Sequence, residues 1–224
     1  MPSPTIENYL KALFNLANSE GEVSAKDLAQ SLEVSLPSVN SMVKKLAELG
    51  YLEYEKYKPI KITDLGKKEA ALIIRKHRLT EMFLVVKMGF GWEEVHPIAE
   101  QIEHIDSPLF FDRMDALLGF PQVDPHGSPI PDKLGNMAMP NLKKLAECRV
   151  GERFTLVALQ HSSNDFLLYL NKKEIAIGAQ FHVLGVEEFD KSMTVNYGNR
   201  KNEVFSTFVC HNLLGKVSIT SNAQ

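Results

Sequence analysis

The sequence of 224 residues contains only two cysteines, and no apolar run approaches the roughly 18 residues that a membrane span needs. Cys148 and Cys210 are far apart and form no Cys-x-x-Cys pair, so a disulfide framework is not expected. Residues 1–10 also lack the pattern of a secretory signal peptide. These absences predict a cytoplasmic protein without membrane segments.

A strong net charge is missing too, because the formal value is only −3 at pH 7. The composition, with 44% hydrophobic and 24% charged residues, is that of an ordinary globular protein. The length allows one or two domains with a sizeable core. Composition alone therefore does not indicate a nucleic-acid partner, and function has to be inferred from local patterns.

Two short helices joined by a tight segment are predicted near the N-terminus. Ser24 can cap the first, AKDLAQSLE, and Ser35 or Leu36 can cap the second, LPSVNSMVKKLAELG, which Gly50 closes. Helical spacing buries the apolar residues of the second helix and leaves its polar residues outside, which predicts a helix-turn-helix whose second helix reads DNA. The candidate DNA contacts on this helix are Ser35, Pro37, Ser38, Asn40, Ser41, Lys44 and Lys45.

The following stretch, YLEYEKYKPIKITDLG, predicts two short strands, Tyr51–Lys56 and Ile60–Thr63, around a turn at residues 57–59. A hairpin directly after a helix-turn-helix is a wing, and its lysines would contact phosphate. A solvated loop is the alternative explanation, but the position in the chain favours DNA contact. The lysines concerned are Lys56, Lys58 and Lys61.

Residues 75–104 carry six imidazole and carboxylate side chains at helical spacing. His77 and Glu81 are four residues apart, so they share one face of a helix predicted over Asp64–Met88. A second helix, predicted over Trp92–Ile105, presents a similar face. Its ligand-type residues are His96, Glu100, Glu103 and His104. Each residue alone fits a solvated charged face, but six of them on two faces favour a site for Mn, Fe or Zn.

A third helix, predicted over Pro108–Leu118, shows more apolar surface than three helices of a monomer need. We therefore expect a dimer interface at this helix. The residues expected there are Phe110, Phe111, Met114 and Leu118.

Residues 119–140 are rich in proline and glycine, which predicts a linker. From Val150 onward, short alternating segments separated by glycines predict a small closed β-barrel. The predicted strands are FTLVALQ, DFLLYL, QFHVLGV, MTVNY and EVFSTFV.

The order of these parts resembles the diphtheria toxin repressor and manganese transport regulator (DtxR/MntR) family of metal-activated transcriptional repressors. The resemblance rests on SLPSVNSMVKKL, RKHRLTE and EEVHPIAEQIEH, and it covers nearly the whole chain. It implies a mainly α fold with a C-terminal β-barrel. The implied domains are a winged helix-turn-helix over residues 1–63, a helical metal-binding and dimerisation domain over 64–140, and an SH3-like domain of the FeoA type over 141–224.

The resemblance divides the ligand candidates into two sites: His77, Glu81 and His96 in one, and Glu100, Glu103 and His104 in the other. Glu100 stands where iron-responsive members have Cys and manganese-responsive members have Glu. Asn8 falls where the N-terminal helix of the family gives Asp or Met, and an Asn carbonyl is a weaker ligand. Lys11 replaces a further acidic ligand of the manganese branch, which argues against the two-metal cluster of that branch.

Some manganese-responsive relatives with a C-terminal barrel carry Cys-Pro-His-Gly in the linker and use its Cys and His as ligands. Here the same place reads Asp-Pro-His-Gly, so the resemblance implies Asp124 and His126 as ligands together with Glu81. A structural turn is the alternative. The barrel is expected to add a ligand near residues 160–162, for which Gln160 or His161 has suitable chemistry.

These expectations describe a metal-activated repressor, not an enzyme, that binds a double-stranded DNA operator as a homodimer and regulates manganese or iron homeostasis genes. Sulfur-free sites suit Mn²⁺ and Fe²⁺, and Glu100 favours Mn²⁺, with Fe²⁺ as the second choice. A di-metal carboxylate enzyme needs two Glu-x-x-His motifs, and only Glu93-x-x-His96 occurs near the site. An iron-transport accessory protein, inferred from the barrel alone, would leave the helix-turn-helix unexplained.

Overall fold

The computed structural model describes residues 3–56, 58–138 and 140–219. The N-terminal part folds around one hydrophobic cluster. Its elements are α1 (Pro4–Leu16), β1 (Glu22–Val23), α2 (Ala25–Ser31), α3 (Leu36–Glu48), β2 (Leu52–Glu53) and β3 (Ile60–Ile62). The hydroxyl of Ser24 accepts a hydrogen bond from the backbone N–H of Asp27, and the hydroxyl of Ser35 accepts one from Ser38. Ser35, rather than Leu36, is therefore the cap of the predicted reading helix.

The three short strands form an antiparallel sheet in the order β1-β3-β2. The predicted strand over Tyr51–Lys56 is shorter in the structure, where β2 comprises only Leu52–Glu53. Tyr57, in the predicted turn, lies outside the described residues. The hairpin of β2 and β3 that follows α3 is thus present. The sequence did not predict that β1 would pair with β3 on the side away from β2.

The middle part contains three helices, α4 (Asp64–Met88), α5 (His96–Ile102) and α6 (Pro108–Leu117). Helix α4 ends at Gly89, which adopts a left-handed conformation with φ of 75° that glycine tolerates without strain. Helix α5 is shorter than the predicted Trp92–Ile105, because it begins only at His96, directly before Pro97, and residues 92–95 form a turn and a bend. Of the described helices, none is long and apolar enough to cross a membrane.

Part of the predicted dimer surface on α6 faces the interior. Phe111 and Met114 are buried in a small cluster with Leu79 of α4, and Leu118 packs partly against it. The apolar side chains that remain exposed at this helix belong to Leu109, Phe110, Leu117 and Phe120. The expectation was therefore wrong for Phe111 and Met114, whose side chains fill the contact between α4 and α6.

The C-terminal part is a six-stranded antiparallel sheet with two helices and a short 3-10 helix at Leu145–Glu147. Its further elements are β4 (Lys143–Lys144), β5 (Glu152–Leu159), α7 (Asn164–Lys172), β6 (Gln180–Val186), β7 (Met193–Tyr197), β8 (Arg200–Phe205), α8 (Thr207–Asn212) and β9 (Leu213–Ile219). The strand order is β4-β9-β5-β6-β7-β8. The two edge strands, β4 and β8, do not pair within residues 140–219, so the prediction of a closed barrel was wrong.

Two predicted strands are wholly or partly helical. DFLLYL lies in α7, where Phe166, Leu167 and Leu170 are buried at helical rather than alternating spacing. EVFSTFV is strand only as far as Phe205, because Ser206 caps α8. The fold is therefore a mixture of helix and sheet, and not mainly α with a barrel.

Candidate metal centre and nucleic-acid interface

Glu81, a buried carboxylate on α4, is the centre of the first cluster of ligand-type side chains. Its Oε1 atom lies 3.1 Å from Nε2 of His77, one helical turn away, and 3.3 Å from Nδ1 of His96 at the start of α5. Its Oε2 atom lies 3.8 Å from Nδ1 of His126 in the linker. One carboxylate thus faces three imidazole rings that come from three separate segments.

The linker motif has a defined conformation. Both the backbone N–H of His126 and that of Ser128 donate to Oδ1 of Asp124, over 2.8 and 2.9 Å. Gly127 has a φ of +85°, and a Cβ atom there would lie 2.0 Å from the carbonyl oxygen of Val157 in β5. Only glycine allows this close approach.

The ring of His126 has polar neighbours at both of its nitrogen atoms. Nε2 of His126 lies 2.9 Å from the carbonyl oxygen of Trp92, which only accepts hydrogen bonds. In the tautomer that this contact favours, the proton is on Nε2 and the lone pair of Nδ1 faces Glu81 and Asp124. Suitable oxygen and nitrogen atoms of Glu81, Asp124 and His126 all lie within 4.8 Å of one another. This donor set fits a divalent first-row metal ion.

A second cluster lies where α4 meets α5. Oε2 of Glu103 is 2.5 Å from Nδ1 of His77, and Oε1 of Glu100 is 3.4 Å from Nε2 of His96. Donor atoms of His77, Glu100 and Glu103 again lie within 4.8 Å of one another. His77 and His96 thus connect the two clusters. The ammonium of Lys11, on α1, contacts both Glu100 and Glu103.

The protonation states follow from these contacts. Burial disfavours a charged His77, but hydrogen bonds to Glu103 and Glu81 outweigh burial and raise its pKa to about 9. Burial also opposes ionisation of the two carboxylates, yet the same histidine holds the pKa of Glu81 and that of Glu103 below their usual range. For Asp124, burial and the neighbouring Glu81 raise the pKa. A metal ion bound here would compete with the proton on His77.

Of two further predicted ligands, Asn8 lies on α1 and His104 contacts it. Oδ1 of Asn8 is buried and has no hydrogen-bond partner among the described residues. His104 places Nδ1 at 2.5 Å from Oε2 of Glu7, while its Nε2 is 3.9 Å from Oε1 of Glu103. Glu7 was not predicted as a site residue. Its position three residues before buried Leu10, on the apolar face of α1, is the signal that points to it.

A cleft of about 720 Å³ joins these groups to the other two parts of the chain. Asn8 on α1 and Ser31 at the end of α2 line one side of it, and residues 159–162, which begin at the last residue of β5, line another. Gln160 and His161 lie there as exposed residues, and His161 belongs to none of the three ligand groups found in the described part of the chain.

The candidate DNA contacts lie on the exposed face of α3 and on the wing. All seven residues predicted at α3, from Ser35 to Lys45, are exposed, and so are Lys56, Lys58 and Lys61. Lys58 forms an ion pair of 2.6 Å with Glu55, and both side chains are largely exposed. The first turn of α3 thus presents hydroxyl and amide groups, and the flanking lysines supply positive charge.

Comparison with known proteins places these features in one family. Residues 1–60 match the N-terminal DNA-binding domain of the iron-dependent repressors, and residues 63–132 match their metal-binding and dimerisation domain. Residues 143–204 match the FeoA domain. The iron-dependent repressor IdeR of Mycobacterium tuberculosis is 31% identical over 183 residues, which cover 77% of this chain and 80% of IdeR. The chain belongs to the iron-dependent repressor family.

Other members of the family are similar over different lengths. The transcriptional regulator MntR of Oceanobacillus iheyensis is 36% identical over 120 residues, or 54% of this chain and 81% of MntR. A solved manganese-dependent transcriptional repressor in complex with manganese has a TM-score of 0.87 and 32% identity, and the match covers 95% of this chain and 100% of that repressor's chain. The solved structure of ScaR with bound Zn²⁺ has a TM-score of 0.77 and 32% identity, and the match covers 96% of this chain and 99% of ScaR. These relatives are regulators of transcription, so the di-metal enzyme is set aside.

Proposed function

We propose that this member of the iron-dependent repressor family is a cytoplasmic, metal-activated repressor that binds a double-stranded DNA operator as a homodimer. Its target genes would serve manganese or iron homeostasis. The observation that carries the proposal is the cleft: ligand-type side chains from α4, α5 and the linker surround it, and α1 and α2 of the DNA-binding unit form its wall. A metal ion bound there would stabilise one arrangement of these parts.

The proposed ligands fall into the two clusters. The first site comprises His77, Glu81, His96, Asp124 and His126, and the second comprises Glu100, Glu103 and His104 with the amide oxygen of Asn8. Gln160 and His161 are the candidates from the sheet domain, because they line the rim of the same cleft. When bound, the ion would neutralise buried carboxylates that now depend on a protonated His77.

We assign Mn²⁺ as the activating ion, with Fe²⁺ as the second choice. Every donor in the two clusters is oxygen or nitrogen, and both cysteines are buried in the core of the sheet domain, away from the cleft. Oxygen-rich sites with several ligands suit Mn²⁺ and Fe²⁺, although Zn²⁺ binds more tightly by intrinsic order. The relatives include a manganese-dependent repressor and an iron-dependent one.

DNA recognition would use two copies of α3, one from each subunit. Isologous pairing places both helices on one face of the duplex, about 34–36 Å apart, which is one helical turn. Ser35, Pro37, Ser38, Asn40 and Ser41 would meet base edges, and Lys44, Lys45, Lys56, Lys58 and Lys61 would meet phosphates. Metal activates by binding the DNA-competent arrangement better than the others. The three domains would divide at residues 63 and 140.

DNA retardation tests the proposal. Chelator-treated protein is mixed with the upstream region of its own gene, and Mn²⁺, Fe²⁺ or Zn²⁺ is added in parallel, with a scrambled duplex as the control. We expect retardation of the specific duplex with Mn²⁺, a weaker response with Fe²⁺ and little without metal. Binding that is equally strong in the presence of chelator would overturn the proposal, and activation by Zn²⁺ alone would overturn the assignment of the ion.

A further inference from the structure

Lys11 occupies an unusual position for a cation in a metal-binding region. It lies on α1, and its Nζ atom is 2.5 Å from Oε1 of Glu100 and 2.7 Å from Oε1 of Glu103. Its side chain is only 14% exposed, and that of Glu103 is 0% exposed. The ammonium therefore lies inside the protein, between two carboxylates that both belong to the second cluster.

Those carboxylates are the oxygen donors that a metal ion would need there. The ligand group at this place consists of His77, Glu100 and Glu103, and Lys11 contacts both of its acidic members. An ammonium and a divalent ion repel each other, and low exposure strengthens that repulsion. A metal ion can bind both carboxylates only if the ammonium leaves.

Helix α1 offers no spare carboxylate in compensation. Glu7 lies 2.5 Å from His104 and 3.6 Å from Lys76, and Asn8, the other candidate on this helix, is neutral. The first cluster has a weaker contact of this kind, because Nε of Arg78 lies 3.5 Å from Oδ2 of Asp124. Among the described residues, no lysine or arginine forms an ion pair with Glu81. The two clusters are therefore unequal in their attraction for a divalent ion.

From this contrast we infer that Lys11 is a tethered cation that takes the place of one metal ion at Glu100 and Glu103. The inference rests on the proposed metal-dependent function and narrows it, because the second of the two proposed sites then holds no tightly bound metal ion. The protein then binds one divalent ion tightly per subunit, at the cluster around Glu81. The second cluster already joins α1 to α5 through the lysine, without a metal ion.

Metal counting tests this inference on the full-length protein. Apo protein is titrated with Mn²⁺, and tightly bound ions are counted by native mass spectrometry and by electron paramagnetic resonance of the bound Mn²⁺. We expect one ion for the parent protein and two for Lys11→Met, with affinity for the second ion at least about tenfold higher in the variant. Lys11→Arg, which keeps the charge, should bind one ion.

Lys76→Met is the matched control, because it removes a lysine that links α4 to α1 through Glu7 and lies over the ring of Phe111, but forms no ion pair with Glu100 or Glu103 in the described residues. It should bind one ion like the parent. Two tightly bound ions in the parent protein overturn the inference even if Lys11→Met fails to fold, and a single ion in folded Lys11→Met does so too. Loss of metal-dependent DNA binding by the parent, with these ion counts as expected, would instead overturn the proposed function.

Discussion

Oε2 of Glu7 lies 2.5 Å from Nδ1 of His104, and this contact joins the N-terminal helix to the residue that follows the cap of α5. Both side chains are largely buried. Position and burial together make this pair, like Lys11, a direct connection between the DNA-binding unit and the metal-binding helices.

Replacing Glu7 with alanine should destabilise the protein. The change leaves His104 without its acceptor and Lys76 without its counter-charge, so we expect the free energy of unfolding to fall by about 1–3 kcal/mol. Urea unfolding of the apo protein measures it. Glu20→Ala, at an exposed position in the segment after α1, should change the value by less than about 0.5 kcal/mol.

Replacing His126 with alanine should weaken metal binding. The variant loses the imidazole whose Nδ1 faces Glu81 and Asp124, so we expect the affinity for Mn²⁺ to fall at least about tenfold. Isothermal titration calorimetry gives the value. His211→Ala removes an exposed histidine from α8 and should leave the affinity unchanged. Parent-like affinity of the His126 variant would contradict the first site.

The linker should not tolerate a side chain at Gly127. A Cβ atom would meet the carbonyl oxygen of Val157 at 2.0 Å, so Gly127→Ala has to push the linker away from β5. Gly198→Ala is the matched control, since its φ is also positive, at +50°, but nothing lies within 4 Å of its Cβ position. Thermal melting should show a larger loss for Gly127→Ala, whereas equal losses would mean that only backbone strain matters.

Replacing Lys44 with alanine should weaken binding to all duplexes alike. Lys44 is exposed on α3, and the loss of one phosphate contact reduces the slope of log affinity against log salt concentration by about one unit. Fluorescence anisotropy at several salt concentrations measures the slope. Lys216→Ala, on β9 of the sheet domain, should keep the slope of the parent. If the variant changes its sequence preference but keeps the salt slope of the parent, Lys44 contacts a base and not a phosphate.

Introducing a charge at Leu109 should disrupt the dimer. Leu109 is 66% exposed on α6 next to other exposed apolar residues, so Leu109→Glu should shift the protein toward monomer in sedimentation. Phe189→Glu alters a residue of the sheet domain that is 99% exposed, and it should sediment like the parent. If both variants stay dimeric, the interface lies elsewhere.

The sequence was most informative where spacing and caps act locally. Helical spacing predicted α3 and α4, and it brought His77 and Glu81 to one face, because these features depend on residues within one turn. It could not show that Lys11 would insert between Glu100 and Glu103, since a helical pattern defines a face but not what packs against it. The segment DFLLYL was mistaken for a strand because a short apolar run fits both structures.

The resemblance to a family supplied what spacing could not. Asp124 and His126 lie more than 40 residues from Glu81 along the chain, and in the sequence only the linker motif connects them to it. The barrel prediction failed for a related reason: closure depends on hydrogen bonds between β4 and β8, which no local pattern reports.

The single tryptophan of the chain gives the candidate metal centre an optical signal. The indole of Trp92 stacks on the ring of His126 with 5.9 Å between the centroids, and its Nε1 donates to Asn171 of the sheet domain over 2.7 Å. Tryptophan fluorescence therefore originates from one place, at the contact between His126, a candidate ligand, and the C-terminal domain. A change in emission on addition of metal would report the state of that contact alone, without any attached dye.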